Sequence, residues 1–453
     1  MTYQTNTNQK KDGKHERVPT VSAVLDDGTI VETVYDPLAK RTAFVIYRDG
    51  DWSTTESLTL GTQTLVPYSA NNNLLKHEVV LLPTGPEEYG TEEELVREIQ
   101  DFIHAYVDVS PLFEQVASYY VLLSWVYDSF NELPYLRLRG DPGSGKTRFL
   151  LTVGSLCYKP IFASGASTVS PLFRILDAFR GTLIIDEGDF RLSDERAEIV
   201  KILNNGNARG FPVLRSEVTN KREFDPRAYA VFGPKLVATR GYFQDGALES
   251  RCITEEMGQQ SLRDDVPINL PASHKDEALS LRNKLLTFRF RSLGKQAVSE
   301  ALVDRKIEPR INQVFAPLLS VIQDERVRAD LRSLARSYNR EMTLERGMKT
   351  EAQVLEVIRD LVASGERLPT IKQIADWFID RFGEDYERKV TPKWIGTIVR
   401  RRLALRTQKT RGVFALADGE TAKLHRLYDR YGVNGTAGDE EATGSEEVVG
   451  DAR

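Results

Sequence analysis

The strongest chemical signal in the chain is one octapeptide, Gly140-Asp141-Pro142-Gly143-Ser144-Gly145-Lys146-Thr147. It fits G-x-x-x-x-G-K-[ST], the Walker A pattern. Glycines at these positions let backbone N–H groups close around phosphate oxygens that a Cβ would keep away. A helix beginning at the lysine would add a partial positive charge facing the anion. Lys146 is expected to reach the β- and γ-phosphates of ATP, and the Thr147 hydroxyl to bind Mg²⁺. Downstream lies Gly181-Thr182-Leu183-Ile184-Ile185-Asp186-Glu187. A buried strand that delivers two carboxylates at its C-terminal edge is the Walker B arrangement. Asp186 would hold the metal through water, and Glu187 would polarise the attacking water. Either segment alone has a bland explanation, a glycine-rich turn or a strand ending in surface acids. Together, at this separation, they spell phosphoryl transfer from ATP to water.

Such residues need a scaffold, and the flanking sequence supplies one. Leu133–Leu138 is short and β-prone, and Arg148–Val153 has apolar residues at helical spacing. Pro160–Ser164 reads as a strand and Ser170–Phe179 as a helix before the Walker B strand. Strands alternating with helices predict a parallel sheet with right-handed crossovers, an α/β fold. A helix over Ser193–Asn204 follows. Gly210 to Arg227 then alternates on both sides of a polar centre, which predicts a β-hairpin with Asn220, Lys221 and Arg222 near its tip. A strand over Lys235–Thr239 and the tetrapeptide Leu248-Glu249-Ser250-Arg251 complete the region.

Walker A, Ile184-Ile185-Asp186-Glu187, a hairpin, a strand ending in a small polar residue, and Leu-Glu-Ser-Arg, in that order, resemble an AAA+ ATPase. The likeness is to ring-forming DNA helicases of the minichromosome-maintenance and superfamily 3 type found on plasmids, viruses and other mobile elements. It covers roughly residues 133–254, with a weaker echo at Glu308-Pro309-Arg310. The resemblance implies a P-loop AAA+ core with a parallel sheet and a helical lid. It places Thr239 at sensor 1, where minichromosome-maintenance proteins usually carry Asn. It places Arg251 at the arginine finger that reaches a neighbour's γ-phosphate, and Arg310 at sensor 2. Lys221 and Arg222 would grip DNA in the channel of a hexameric ring. Each has a local alternative: a strand cap for Thr239, a salt bridge to Glu249 or Glu255 for Arg251, a lid surface residue for Arg310, a solvated turn for the hairpin tip.

The remainder divides by composition. Residues 1–20 are polar and expected to be disordered. Residues 21–88 read as a small β-domain, with runs at Val21–Leu25, Thr29–Tyr35, Thr42–Tyr47 and Glu78–Leu82. An oligonucleotide-binding barrel, an assembly collar, or neither would fit that pattern. Residues 89–132 read as a helical linker or collar whose aromatic face, Tyr119 to Val126, is expected to pack on the ATPase sheet. The ATPase core is assigned to 133–263 and the helical lid to 264–346. Residues 347–432 show three helices and a hairpin, the pattern of a winged-helix DNA-binding domain. From Arg388 to Arg411 nine cations run without an acid, including Lys393, Arg400, Arg401, Arg402, Lys409 and Arg411. They are expected to contact DNA, or, as the alternative, an acidic protein surface. Residues 433–453 form an acidic tail expected to be disordered. Its six acids, set against Arg453, account for the whole formal charge of −5.

Length and composition bound the rest. A chain of 453 residues with 41% hydrophobic content holds two to four domains with ordinary cores. Cys157 and Cys252 stand far apart, so a reduced cytoplasmic protein without structural disulfides is expected. No apolar run reaches membrane-spanning length, so no membrane partner is expected. The five histidines form no metal-site pattern. The function these features imply is an ATP-dependent DNA motor, a hexameric replicative helicase acting on a single strand or a fork, with a replication initiator or primase as a possible partner. The alternatives are a DNA-remodelling or helicase-loading ATPase, and a nucleotide-gated DNA-binding regulator.

Overall fold

The computed structural model describes residues 16–164, 168–186, 194–218, 224–243, 245–258, 262–347, 350–383, 386, 390–410 and 412–433. They divide into two compact units, Met1–Ala335 and Arg336–Arg453.

The first unit begins with seven strands: β1 (Glu16–Thr20), β2 (Ser22–Val24), β3 (Ile30–Asp36), β4 (Arg41–Arg48), β5 (Asp51–Thr55), β6 (Leu58–Leu60) and β7 (Gln63–Pro67). Strands β2 to β5 form an antiparallel sheet in sequence order, and β1, β7 and β6 form a second sheet. The polar N-terminal stretch expected to be disordered therefore ends in an ordered strand, since β1 pairs in parallel with β7. Glu78–Leu82 does not join either sheet. It lies along the ATPase sheet instead, where Phe162 N–H donates to the Val79 carbonyl at 2.9 Å and Val80 bridges Ile161. An apolar run satisfies any exposed strand edge, and covering this one removes a pairing hazard.

Three helices follow: α1 (Asn73–Lys76), α2 (Glu92–Tyr106) and α3 (Pro111–Trp125). Thr91 and Glu94 close a capping box on α2, and Ser110 caps α3 with Pro111 in its first turn. From Phe113 to Trp125 almost every α3 residue is buried. Its aromatic groups dock on the central layer as expected: the Tyr120 hydroxyl lies 3.0 Å from the Pro134 carbonyl, and the Trp125 indole donates to Leu156 at 2.8 Å.

The central sheet contains β8 (Tyr135–Arg139), β9 (Ile161–Ser164), β10 (Leu183–Asp186), β13 (Lys235–Thr239) and β14 (Cys252–Glu256). All are parallel, in the order β14-β8-β13-β10-β9. Helices α4 (Lys146–Leu156), α5 (Val169–Phe179) and α6 (Asp194–Asn205) make the crossovers. Between α6 and β13, β11 (Val213–Val218) and β12 (Phe224–Tyr229) pair as an antiparallel hairpin. The hairpin forms as expected, while its tip residues Lys221 and Arg222 lie outside the described residues. The short α7 (Gly246–Glu249) precedes β14, and α8 (Ser273–Ser292), α9 (Pro309–Ser320) and α10 (Glu325–Gly347) follow it.

A buried ionic cluster ties the N-terminal sheets to this core. Glu32 on β3, 2% exposed, forms an ion pair with Lys159 at 3.0 Å and accepts from Arg289 at 2.8 Å and Tyr158 at 2.6 Å. Arg289, on α8, also binds Asp128 at 2.7 Å. Removing one member of such a cluster strands a buried charge, typically at a cost of about 3–5 kcal/mol. The N-terminal antiparallel sheet is thus anchored to the layer built on the central parallel sheet.

In the second unit, α11 (Thr350–Ala363), α12 (Ile371–Phe382) and α13 (Pro392–Thr397) pack around one apolar core. Thr370 caps α12 with Gln373, and Thr391 caps α13 with Pro392 at its start. The chain continues from α13 through a π-turn, Ile398–Arg402. Strands β15 (Thr407–Thr410) and β16 (Val413–Leu416) form the hairpin, and Thr370 bridges Ala415. The first hairpin strand starts at Thr407, because Leu403 and Leu405 just before it are drawn into the core. A further helix, α14 (Thr421–Tyr431), buries Leu424 and Tyr428 on the same core.

Candidate nucleotide-binding site

Strand β8 delivers the Gly140–Thr147 loop at its C-terminal end, and α4 begins at Lys146. Gly143 and Gly145 adopt φ of +83° and +92°, a region that penalises side chains. A Cβ on Gly140 would meet the Met257 carbonyl at 2.6 Å and the Ser144 hydroxyl at 2.9 Å. The loop is therefore a backbone cradle at a helix N-terminus, which suits an anion. Lys146 Nζ donates to the carbonyls of Gly140 and Asp141, each at 2.7 Å, so the ammonium lies across the cradle.

The cleft beside the loop has a volume of about 360 Å³. Pro142, Gly143 and Gly145 line one wall, and Asp186, Thr239 and Arg240 line the other. The order of the sheet explains the second wall. Strand β13 lies between β8 and β10, so its end emerges between the loop and Asp186. Gly140 N–H donates to the Thr239 carbonyl at 3.2 Å. The Thr147 hydroxyl donates to Asp186 Oδ2 at 2.7 Å. A hydroxyl and a carboxylate this close are hard oxygen donors suited to Mg²⁺, which typically keeps several waters and phosphate oxygens. Among the described residues no group of three or more His, Cys, Asp or Glu could cage a metal by itself. The donor set thus fits a metal that arrives with its nucleotide. Glu187 lies outside the described residues.

The Thr239 side chain is buried, and its hydroxyl donates to the Gly241 carbonyl at 3.0 Å. Arg240, the next residue, is exposed at the cleft wall. Arg240 carries no recognised motif. Only the sheet order reveals its position.

Arg251 stands at the other end of the sheet. Its carbonyl accepts from Tyr135 N–H at 2.9 Å, at the start of β8, whereas the phosphate loop leaves the end of β8. Four strand steps at about 3.3 Å each separate these ends by roughly 13 Å. Arg251 Nε donates to Asn207 at 2.8 Å and Nη1 donates to Asn204 at 2.5 Å. The two glutamates that might have paired with Arg251 are engaged elsewhere. Glu249 binds the buried Arg137, and Glu255 accepts from the Ser110 N–H at 2.8 Å. Burial lowers the Arg251 pKa, and the nearby Arg310 charge lowers it further. Arg310, at the start of α9, therefore belongs with Arg251 and is not among the residues lining the Lys146 cleft.

In the second unit, Lys393, Arg401 and Lys409 are exposed. The Arg400 guanidinium lies 5.8 Å from the centroid of the exposed Phe414 ring. Arg402 pairs with Glu351 on α11 at 3.1 Å, and Arg406 pairs with Glu420 at 2.6 Å. Arg411 lies outside the described residues. No helix among the described residues is long and apolar enough to cross a membrane.

No protein-family model matches the chain, and no curated protein does. Among solved structures it is similar to the A-form apo structure of the NrS-1 C-terminal region, with 12% identity over 86% of this chain and 97% of that one and a TM-score of 0.36. It is also similar to the SCCmec type IV Cch active helicase, with 12% identity over 90% and 80% of the two chains and a TM-score of 0.39. A third similar structure is the full-length MCM homolog from Methanopyrus kandleri, with 10% identity over 69% and 78% and a TM-score of 0.35.

Proposed function

We propose that this chain is an ATP-driven DNA motor, a replicative helicase working as a head-to-tail ring of six subunits. One observation carries the proposal: Lys146, Thr147 and Asp186 meet at one end of a parallel sheet, and Arg251 stands at the opposite end. An arginine that cannot reach its own subunit's phosphates, and that is held by neutral amides, is placed to serve a neighbour's. A head-to-tail contact repeated around a closed ring supplies such a neighbour to every site.

Mg²⁺, when bound, would supply positive charge that offsets the charge developing during phosphoryl transfer. Thr147 and Asp186 would hold it. The loop amides orient the triphosphate, and Lys146 moves from the loop carbonyls to the β- and γ-phosphates. Glu187 orients the attacking water, and Arg251 from the adjacent subunit meets the γ-phosphate from the far side. Movement of the β11–β12 hairpin, with Lys221 and Arg222 near its tip, would carry the phosphate backbone of a DNA strand along the channel. The second unit, read as a winged helix, would present Lys393, Arg400, Arg401, Lys409 and Arg411 to DNA. The exposed Phe414 beside Arg400 offers a surface on which a base can stack.

Strand displacement on a forked duplex tests the reading. The wild-type chain is expected to unwind it, and Glu187→Gln to abolish unwinding while ATP binding persists. DNA-stimulated hydrolysis without displacement would instead identify a loader or remodeller. Sequence-specific binding with negligible turnover would identify a regulator.

A further inference from the structure

The residue after β13 has no counterpart in the motif-based reading. Resemblance gives the sensing role to Thr239, yet the Thr239 hydroxyl is turned onto the Gly241 carbonyl and its side chain is 2% exposed. The next side chain, just past the end of β13, is exposed instead. That side chain is Arg240, which lines the cleft with Lys146, Thr147 and Asp186. It enters from the sheet side, whereas Lys146 lies on the loop side. The bottom of the cradle is closed by loop amides and the start of α4, where the inner phosphates must sit. The terminal phosphate then projects toward Asp186 and the end of β13.

We propose that Arg240 binds the terminal phosphate of the nucleotide held by its own subunit, and that it gives the cleft its preference for a triphosphate over a diphosphate. A guanidinium suits this task because its planar fork matches two phosphate oxygens at once. Unlike a neutral amide at the same place, it also offsets charge. A diphosphate leaves nothing within its reach, so its contribution appears only when the γ-phosphate is present. The proposal rests on the ATP-site reading above and concerns binding, so it holds whatever the assembly does afterwards.

The test is displacement of a fluorescent nucleotide from the full chain, with Mg²⁺ present, by ADP and by a non-hydrolysable ATP analogue. Arg240→Ala is expected to weaken the triphosphate analogue by about 10- to 100-fold, the range for a charge-assisted hydrogen bond. ADP affinity should stay within about twofold, because no contact to it is lost. Arg240→Lys should recover part of the preference. Lys146→Ala should weaken both nucleotides. If Arg240→Ala weakens ADP and the analogue equally, the residue only shapes the cleft; if it weakens neither, it does not touch the phosphate. Either result overturns the proposal while leaving the ATP site standing. A wild-type chain that binds neither nucleotide removes the ATP site itself and this inference with it.

Discussion

Replacing Arg251 with Ala should abolish hydrolysis while leaving nucleotide binding intact. The side chain makes two charge-assisted hydrogen bonds to neutral amides, each worth about 1.5–3 kcal/mol. Asn204 keeps its 2.5 Å contact with Asp245 when the guanidinium is gone, so the fold should survive. An arginine supplied to a γ-phosphate by a neighbour typically contributes 10³–10⁵ in turnover, so Arg251→Ala alone should fall about a thousandfold or more. Lys146→Ala alone should be equally inactive. Mixed one to one, the two should recover activity, because an Arg251→Ala subunit still offers a complete cleft to the arginine of a Lys146→Ala neighbour. In randomly mixed head-to-tail rings, half the clefts come from the Arg251→Ala chain. Half of those face an intact arginine, so about a quarter of wild-type activity returns. The assay is steady-state phosphate release over a range of mixing ratios, with a maximum at equal amounts. A mixture no more active than its parents would refute the transfer of Arg251 between subunits. So would full turnover by a monomer at high dilution.

Two further outcomes follow from burial and charge. Lys235 begins β13 wholly buried, and its ammonium donates to the carbonyls of Gly206, Val231 and Gly233 at 2.9 to 3.2 Å. Burial nevertheless pushes its pKa from 10.5 down to about 7. The unfolded chain then binds more protons than the folded one between those values, so Lys235 makes stability rise with pH, by up to about 1.4 kcal/mol per unit. Urea unfolding at pH 7, 8 and 9 should show a shallower rise for Lys235→Met than for the wild type; identical slopes would place the titration elsewhere. In the second unit, Lys393→Ala should reduce the dependence of DNA affinity on salt by about one unit in a log–log plot. Arg402→Ala should change that slope less, because Glu351 already balances its charge; equal slope changes would mean that DNA displaces the Glu351 pair.

Much of this architecture was legible because certain residues tolerate only one local structure. The octapeptide ending in Lys146-Thr147 demands strand, loop and helix, and all three occur where the apolar spacing put them. Thr370 and Thr391 each sit before an apolar periodic run, and each caps its helix. What escaped depends on neighbours distant in sequence. An apolar run announces a strand without naming its sheet, so Glu78–Leu82 was assigned to the β-domain although it flanks β9. Counting acids within residues 388–411 could not reveal Glu351 on α11 and Glu420 just before α14, which reach Arg402 and Arg406. Glu32 looks like any strand glutamate until Lys159 and Arg289 close over it. Arg240 was missed for the same reason: only the insertion of β13 between β8 and β10 turns a strand-end residue into a cleft wall.

That strand order also divides the cations. Lys146 and Arg240 line the cleft at the C-terminal end of the sheet, while Arg251 and Arg310 lie together at its other end. Phosphoryl transfer depends on charge neutralisation more than on covalent chemistry, so a subunit holding only its own pair of cations has half of what the chain encodes. Arg310 disfavours the Arg251 charge and Asp245 favours it, while the direct hydrogen bonds of Arg251 go to the neutral amides of Asn204 and Asn207. In the proposed ring, a neighbour's triphosphate would offset the Arg251 charge as it gains its missing cation, which would join hydrolysis to subunit contact through one electrostatic balance. A variant that puts a carboxylate in direct contact with Arg251, such as Asn207→Asp, should satisfy the arginine within its own subunit and uncouple the two. It would keep nucleotide affinity while losing the steep dependence of turnover on protein concentration.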